Sequence, residues 1–300
     1  AGSDGRCDLS FTSGSFPGYA WIFPTSERVA NVGVGMVVET FPATQPRMHE
    51  LLARLVREDP ALSQRLAGAE MIAEPVGWAL PTYSGRSAVV GERVILIGDA
   101  AGLVNPLNGE GIQSALSSAR FAAEAIVAAL RGGDCSQRAL LPYAERLHGE
   151  VGRDMLLARL VVRTVANRAL NRMWLAMLRG VVARARIDRA YADATGGVIA
   201  GIVPTRAAFA PHVLLRTAFA IRDEFRQTED WRSHVADACV ALAGIAQDRD
   251  GFVRWARSVA EAAHGVMTRQ QPGIPSETES YRGGHDERND TGRYALARGA

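Results

Sequence analysis

The sequence predicts a mixed fold of the α+β or α/β class. Three observations predict it. Residues 1–92 are rich in strand patterns, residues 93–135 contain a short apolar run with a glycine-rich loop and a helical pattern, and residues 136–267 are mostly helical in pattern. The composition of residues 268–300 shifts to polar and charged types, which predicts a disordered tail. These four ranges are the predicted domains of the chain.

A β-hairpin is predicted near the start of the chain. Residues 19–23 and 29–38 have strand patterns, and a short turn at 25–27 separates them. Gly33 and Gly35 weaken the second strand, and glycines inside a strand often mark the close approach of another backbone or a ligand.

Three further elements are predicted before the glycine-rich loop. Residues 46–59 have apolar side chains at helical spacing, and Pro60 would end that helix. Residues 70–80 are a strand candidate. Residues 93–98 are a short apolar run, which is typical of a buried strand in a parallel sheet.

Helices are predicted for most of the chain beyond the loop. The first covers 109–130 and ends at Gly132-Gly133. Residues 140–263 continue the helical pattern, with breaks predicted at Gly196-Gly197, Pro204 and Pro211. The apolar positions of the first helix fall on one predicted buried face, formed by Ile112, Ala115, Leu116, Ala119, Ala123, Ile126 and Leu130.

The stretch 94–112 has the residues of a ligand site. An Asp at the carboxyl end of a strand lies where open α/β sheets bind ligands, and small neighbours let a ligand approach the backbone. Free amide groups at a helix start attract phosphate or a developing negative charge. An ordinary strand–loop–helix connection is the alternative, and the close spacing disfavours it. The predicted cofactor-binding residues are Gly98, Asp99, Ala100, Pro106, Gly109, Glu110, Gly111 and Ile112.

An aromatic row is predicted on the hairpin. Tyr19, Trp21 and Phe23 alternate by two and would share one face of the sheet. Such a face suits an apolar substrate, although a plain sheet core would also use these residues. Pro24 and Trp78 are further candidate substrate contacts.

Composition excludes several classes of chemistry. The chain has no lysine, which excludes a phosphate-binding loop lysine and a Schiff base. Its three cysteines are far apart, and no HExxH or GxSxG motif occurs, so no metal site or serine nucleophile is predicted. A net charge of +2 and the absence of a long apolar segment predict a cytoplasmic protein that binds no nucleic acid.

The stretch 94–112 resembles the second flavin motif of the glutathione-reductase-like and hydroxylase-like FAD enzymes, and it is most similar to that of the geranylgeranyl reductase family. Gly102 stands where related aromatic hydroxylases carry His, and Gly111-Ile112 continues the motif as in the reductases. Residues 17–24 resemble the family's Tyr-x-Trp-x-Phe-Pro signature, although Pro17 stands two residues before Tyr19 where archaeal members have three.

The resemblance implies the C-terminal part of a glutathione-reductase-like FAD-binding fold. It implies an FAD-dependent oxidoreductase that takes electrons from NAD(P)H or another reductant and reduces double bonds of a polyprenyl lipid or quinone. No GxGxxG motif opens the chain, so we expect it to supply the flavin-ring and substrate sides of the site without the dinucleotide cradle. The resemblance leaves the catalytic residues and the oligomeric state unassigned, and Tyr19 is one candidate proton donor.

Alternatives remain open at this point. An FAD-dependent monooxygenase acting on an aromatic or apolar small molecule has a similar motif, and a non-catalytic fragment or partner-binding protein would also lack the cradle. Residues 153–189 contain nine arginines and two acidic residues. They predict either a basic surface that makes peripheral contact with anionic lipid or helices with a solvated arginine face, and the second interpretation is favoured.

Overall fold

The computed structural model describes residues 6–37, 48–85, 87–227 and 231–268. The predicted disordered tail therefore lies outside the described residues, apart from Thr268.

The predicted hairpin is confirmed and belongs to a three-stranded antiparallel sheet. Its strands are β1 (Asp8–Ser10), β2 (Tyr19–Pro24) and β3 (Ala30–Gly35), in that spatial order. The register pairs Trp21 with Gly33. Strand β1 was not predicted, because three residues are too few to form a recognisable alternation.

A small core lies on one face of this sheet. Helices α1 (Met48–Glu58) and α2 (Pro60–Arg65) cover that face. Their buried leucines pack against the strand residues that alternate with the aromatic row; the core is formed by Ala20, Ile22, Leu51, Leu55 and Leu62. The row itself therefore faces the other side of the sheet.

Pro60 begins a helix as well as following one. The carboxylate of Asp59 accepts hydrogen bonds from the amides of Ala61 and Leu62, each at 3.0 Å, and so caps α2. Proline is well suited to the first helical position, where its missing N–H has no partner to lose. The predicted helix at 46–59 is confirmed over its described part.

The predicted strand at 70–80 is wrong. This segment has no regular structure, and its side chains are exposed, including Trp78 at 89%. A strand needs a partner for its backbone groups, and no other strand in the described residues pairs with this segment.

The predicted buried parallel strand at 93–98 is also wrong. The described part of the chain has instead a two-stranded antiparallel ribbon of β4 (Val90–Gly91) and β5 (Val94–Ile95). Val94 and Ile97 are exposed. The one parallel pairing among the described residues is an isolated bridge between Thr82 and Val104. A single-turn 3₁₀ helix (Gly98–Ala101) follows the ribbon.

Helix α3 (Ile112–Gly132) buries the face opposite to the predicted one. Its C-cap is Gly133 in the left-handed conformation, as the glycine pair predicted. It packs against α4 and the 3₁₀ turn through Ser114, Ser118, Phe121, Ala122 and Ala129. The predicted face is largely exposed, with Leu116 at 70%. Small residues and serines dominate the buried side because the backbone of the turn approaches it closely.

The rest of the described chain is helical. Its elements are α4 (Gln137–Leu147), a π-helical turn (His148–Gly152), α5 (Arg153–Val165), α6 (Asn171–Ile187), α7 (Arg189–Ile199), α8 (Pro211–Gln227), α9 (Trp231–Gln247) and α10 (Arg249–Met267). Gly196 and Gly197 lie inside α7 instead of breaking it, and the chain turns at Gly201. Pro211 begins α8.

A second, larger core joins the ribbon, α3, α4 and the start of α5. It extends from Tyr83 to Leu156 and so crosses the predicted boundaries at 92 and 135. The observed architecture is thus helical with two small antiparallel sheets, which agrees with the α+β alternative. Within the described ranges, no helix is long and apolar enough to cross a lipid bilayer.

Candidate functional site

The 3₁₀ turn is held against α3 by a buried hydrogen bond. Gly98 has φ = 52°, in the left-handed region that favours glycine, and a Cβ there would lie 3.2 Å from that of Ala115. The Gly98 amide donates to Oγ of Ser118 at 3.1 Å, and Ser118 is fully buried. Ser118 was missed by sequence reasoning, because a serine inside a helix has no motif that distinguishes it.

Asp99 and Gly111 converge, as the motif predicts. Oδ1 of Asp99 lies 3.1 Å from the position that a Cβ on Gly111 would take. Asp99 belongs to the 3₁₀ turn and not to the end of a strand. Its side chain is exposed, and no donor among the described residues hydrogen-bonds to it. A carboxylate in this state is available to accept hydrogen bonds from hydroxyl groups of a ligand.

The loop between Val104 and Gly111 is closed by its own groups. The amide of Asn105 donates to the Glu110 carbonyl at 2.8 Å, and the Gly109 amide donates to the Asn105 carbonyl at 2.9 Å. Oδ1 of Asn108 accepts from the Glu110 amide at 3.0 Å. These bonds fix the loop without requiring a ligand.

Glu110 caps the start of α3. Its carboxylate accepts a hydrogen bond from the Gln113 amide at 2.6 Å. One of the helix amides expected to be free therefore already has a partner. The amides of Gly111 and Ile112 have no acceptor among the described residues and remain available to an anionic group.

The remaining predicted cofactor residues border the loop. Ala100 is exposed, and Pro106 is half-buried. Ile112 is 77% exposed and lies on the exposed apolar face of α3.

The aromatic row is observed, and Phe11 extends it. Ring centroids are 5.6 Å apart for Phe11 and Tyr19, 6.1 Å for Tyr19 and Trp21, and 5.9 Å for Trp21 and Phe23. Tyr19, Trp21 and Phe23 are half-buried, as is Phe11. Phe11 was missed because it lies in a loop, where no alternation assigns it to a face.

The glycines of β3 make room for Trp21. A Cβ on Gly33 would lie 2.2 Å from Cζ2 of the indole, and one on Gly35 would lie 3.6 Å from Cζ3. The indole N–H donates to Oδ1 of Asn31 at 2.7 Å. The close approach at Gly33 is therefore made by a side chain of the neighbouring strand, where the sequence predicted another backbone or a ligand.

Tyr19 joins the aromatic row to the loop. Its hydroxyl donates a hydrogen bond to the backbone carbonyl of Asn108. Burial raises the pKa of Tyr19, so the phenol keeps its proton. The hydroxyl proton is directed at this carbonyl, and the role of Tyr19 as a proton donor stays a prediction.

The other two predicted substrate contacts differ in position. Pro24 is half-buried and is the last residue of β2, which also contains Trp21 and Ile22. Trp78 lies in the exposed segment, and no ring contact joins it to the row within the described residues.

A cavity of about 270 Å³ lies elsewhere, between α5 and α10, and neither the row nor the loop lines it. The row is thus an open surface.

A buried polar pair, Tyr83 and His148, lies next to the bridge that joins Thr82 to Val104 at the start of the loop. Tyr83 follows the bridge to Val104, and its hydroxyl lies 3.0 Å from Nδ1 of His148 in the π-helical turn. Burial raises the pKa of Tyr83 to about 12. Burial, with a smaller contribution from Arg153, lowers the pKa of His148. The phenol therefore keeps its proton and can donate to the neutral imidazole.

Carboxylates pair with some of the arginines of the arginine-rich region. Four of its nine arginines make ion pairs of 2.7–3.0 Å: Arg172 with Asp237, Arg179 with Glu224, Arg184 with Asp188 and Arg189 with Asp193. Peripheral contact with anionic lipid and a solvated arginine face both stay predictions for this region. The described residues contain no cluster of side chains that could hold a metal ion.

Fold and site together define a mainly helical α+β protein in which an aromatic sheet face meets a glycine-rich loop. The family described as the geranylgeranyl reductase catalytic domain matches residues 5–74. A digeranylgeranylglycerophospholipid reductase of Methanocella arvoryzae is 33% identical over 152 residues, covering 50% of this chain and 36% of the relative. Reductase 1 of that name from Methanopyrus kandleri is 37% identical over 133 residues, covering 44% and 34%.

A solved structure is also similar. It is that of a geranylgeranyl bacteriochlorophyll reductase-like protein from Thermoplasma acidophilum, with a TM-score of 0.45 and 20% identity over 81% of this chain and 50% of that one. The chain spans about a third of the length of the curated relatives it matches. Over the part that the sequence comparisons match, the chain is similar to members of the geranylgeranyl reductase family.

Proposed function

We propose that this chain forms the flavin-ring and substrate sides of an FAD-dependent reductase that saturates double bonds of a polyprenyl lipid. The observation that carries the proposal is the hydrogen bond from Tyr19 to the Asn108 carbonyl. It links an apolar aromatic surface directly to the loop that presents Asp99 and the free amides, so an isoprenoid chain on the row would lie beside a cofactor on the loop.

The loop has groups that fit FAD. The exposed Asp99 carboxylate would accept from ribityl hydroxyls, and the amides of Gly111 and Ile112 would face the part of the ring that becomes negatively charged. A Cβ at position 111 would lie 3.1 Å from Oδ1 of Asp99 and would crowd it, so glycine keeps this space open. When bound, FAD would supply the hydride for the alkene, with NAD(P)H or another reductant as the electron source.

The aromatic row would bind and orient the substrate. Rings 5.6–6.1 Å apart form a continuous apolar strip along β2, and their half-buried state leaves them open on one side. Polyprenyl chains lose contact with water on such a strip, which favours binding. The names of the archaeal relatives support a polyprenyl lipid as the substrate class.

The test combines a cofactor titration with a product analysis. Titration with FAD, followed by fluorescence, should show weak but saturable binding, because the sequence contains no GxGxxG motif to hold the dinucleotide. Protein with chemically reduced FAD should then convert a geranylgeranyl lipid to a product that has gained one H₂ per reduced double bond, as detected by mass spectrometry. Absence of FAD binding would overturn the proposal. Oxygen-dependent addition of a hydroxyl group would instead support the monooxygenase alternative.

A further inference from the structure

Asn108 lies where three parts of the chain meet. It is 6% exposed and belongs to the loop, between Leu107 and Gly109. Its carbonyl accepts from Tyr19 of β2, while its side chain faces the end of α7. Nothing in its motif distinguished it from a spacer residue, because its contacts are to residues about 90 positions away in either direction.

The contact with α7 has two parts. Nδ2 of Asn108 lies 3.5 Å from the carbonyl of Val198, a long hydrogen bond. A Cβ on Gly201 would lie 3.0 Å from the same Nδ2, and Gly201 has φ = 73°, so the chain turns tightly around the amide. The same Cβ would lie 3.6 Å from Cγ of Glu110. The turn after α7 therefore packs on two successive parts of the loop.

The third contact is within the loop. Oδ1 of Asn108 accepts from the Glu110 amide at 3.0 Å, and the Glu110 carboxylate in turn caps α3. The side chain thus uses its acceptor to shape the loop and its donor to reach α7. Only an amide side chain of this length provides both functions at once.

We infer that Asn108 is a positioning residue that sets the separation between the aromatic row and the Asp99–Gly111 loop. The inference rests on the proposed function, since the row would hold the substrate and the loop the cofactor. Hydride transfer requires the reacting atoms to be close and aligned, and a displacement of about 1 Å can lower the rate by roughly 100-fold. Asn108 would act by fixing that geometry, without touching either reactant.

The test compares Asn108→Asp with two other substitutions at the junction. Aspartate has the same shape and keeps the acceptor for Glu110, but it cannot donate to Val198. Tyr19→Phe removes the bond from the sheet, and Gly201→Ala forces a Cβ against Nδ2. The matched control is Asn167→Asp, because the Asn167 oxygen caps a distant turn and aspartate retains that role.

Two kinds of measurement are needed. The first compares the affinity for FAD with the rate at which the alkene substrate oxidises reduced FAD. We expect Asn108→Asp to lower that rate by roughly 10- to 100-fold while FAD affinity changes less than about threefold. The second is amide hydrogen exchange, which does not depend on activity. Exchange should accelerate in 105–111 and 196–201 and stay unchanged in α6.

Each outcome either supports or overturns the positioning role of Asn108. The expected split between rate and affinity, with local acceleration of exchange, supports it. An unchanged rate with unchanged exchange overturns it, as does a general rise in exchange that includes α6, which would indicate a merely structural role. If the unsubstituted protein binds no FAD, the proposed function fails. The exchange pattern then decides alone whether Asn108 couples the loop to α7.

Discussion

The aromatic sheet and the glycine-rich loop form the two sides of the proposed site, but different interactions hold them. The sheet depends on paired strands and on side-chain packing, with Ala20 and Ile22 buried on one face and the aromatic rings on the other. The loop depends on individual hydrogen bonds that backbone amides donate to the side-chain oxygens of Asn105, Ser118 and Glu110. Many packing contacts thus hold the aromatic sheet, whereas a few polar atoms hold the glycine-rich loop.

This difference teaches where the site is sensitive. A packed face distributes its stability over many contacts and can adjust when one of them changes. A buried donor that loses its acceptor has no alternative, so the cost is concentrated at one atom. We therefore expect ligand affinity and local geometry on the loop side to respond to single polar substitutions. The sheet side should respond mainly to changes of volume.

The largest expected effect belongs to the loop side. Asp99→Ala removes an exposed carboxylate that would accept from FAD hydroxyls, and a hydrogen bond to a charged group contributes about 1.5–3 kcal/mol. FAD should bind about 10- to 150-fold more weakly in a fluorescence titration, with the melting temperature nearly unchanged. Asp134→Ala is the matched control, because Asp134 accepts from Ser136 away from the loop. Equal affinities for the Asp99 variant and the unsubstituted protein would exclude this role.

The next effect tests the buried bond of the loop. Ser118→Ala leaves the Gly98 amide without its acceptor, which should lower the free energy of unfolding by about 1–3 kcal/mol. Urea denaturation measures the loss. Ser117→Ala, at the half-buried neighbouring position, should change stability much less. Similar losses for both variants would contradict the importance of this bond.

A smaller effect tests the sheet side through a matched pair of glycines. Gly33→Ala would place a Cβ 2.2 Å from Trp21, whereas Gly35→Ala would make an ordinary 3.6 Å contact. Gly33→Ala should lower stability by about 1–2 kcal/mol, because the half-buried indole can move aside. It should also shift the tryptophan fluorescence spectrum. If Gly35→Ala had the larger effect, the arrangement of the row would be wrong.

The smallest effect is a pH dependence behind the loop. Burial lowers the pKa of His148 below its ordinary value of 6.5, so the unfolded chain binds a proton first as the pH falls. The stability contributed by neutral His148 is therefore complete above about pH 6.5 and is lost as the pH falls towards the lowered pKa. His148→Gln should flatten thermal stability against pH in this range. His212→Gln, at an exposed position, should not.

Much of the local structure could be predicted from the sequence. The hairpin, the first amphipathic helix, the glycine end of α3 and the helical region follow from periodicity and from the backbone preferences of glycine and proline. The shared face of Tyr19, Trp21 and Phe23 follows from the two-residue period of a strand. These features depend on residues near one another in the chain, so a single sequence contains the information for them.

The errors occurred where an element depends on a distant partner. Residues 70–80 and 93–98 have strand-like composition, but the described structure provides no neighbouring strand of matching length. The apolar stripe of α3 predicted the wrong buried face, because the turn packs on the serine side of the helix, where the Gly98 amide donates a hydrogen bond to Oγ of Ser118. Composition shows which residues favour burial, and the neighbours decide which of them are buried.

The sequence by itself determined the residue types of the proposed site and their spacing along the chain. The approach of Asp99 to Gly111, the bond from Tyr19 to Asn108 and the position of Gly201 against Asn108 were decided only by the tertiary structure. The physical reason is the distance along the chain over which each kind of interaction acts. Helical and strand periods act over a few residues, whereas these contacts join residues 12 to about 90 positions apart and form only when separate elements pack together.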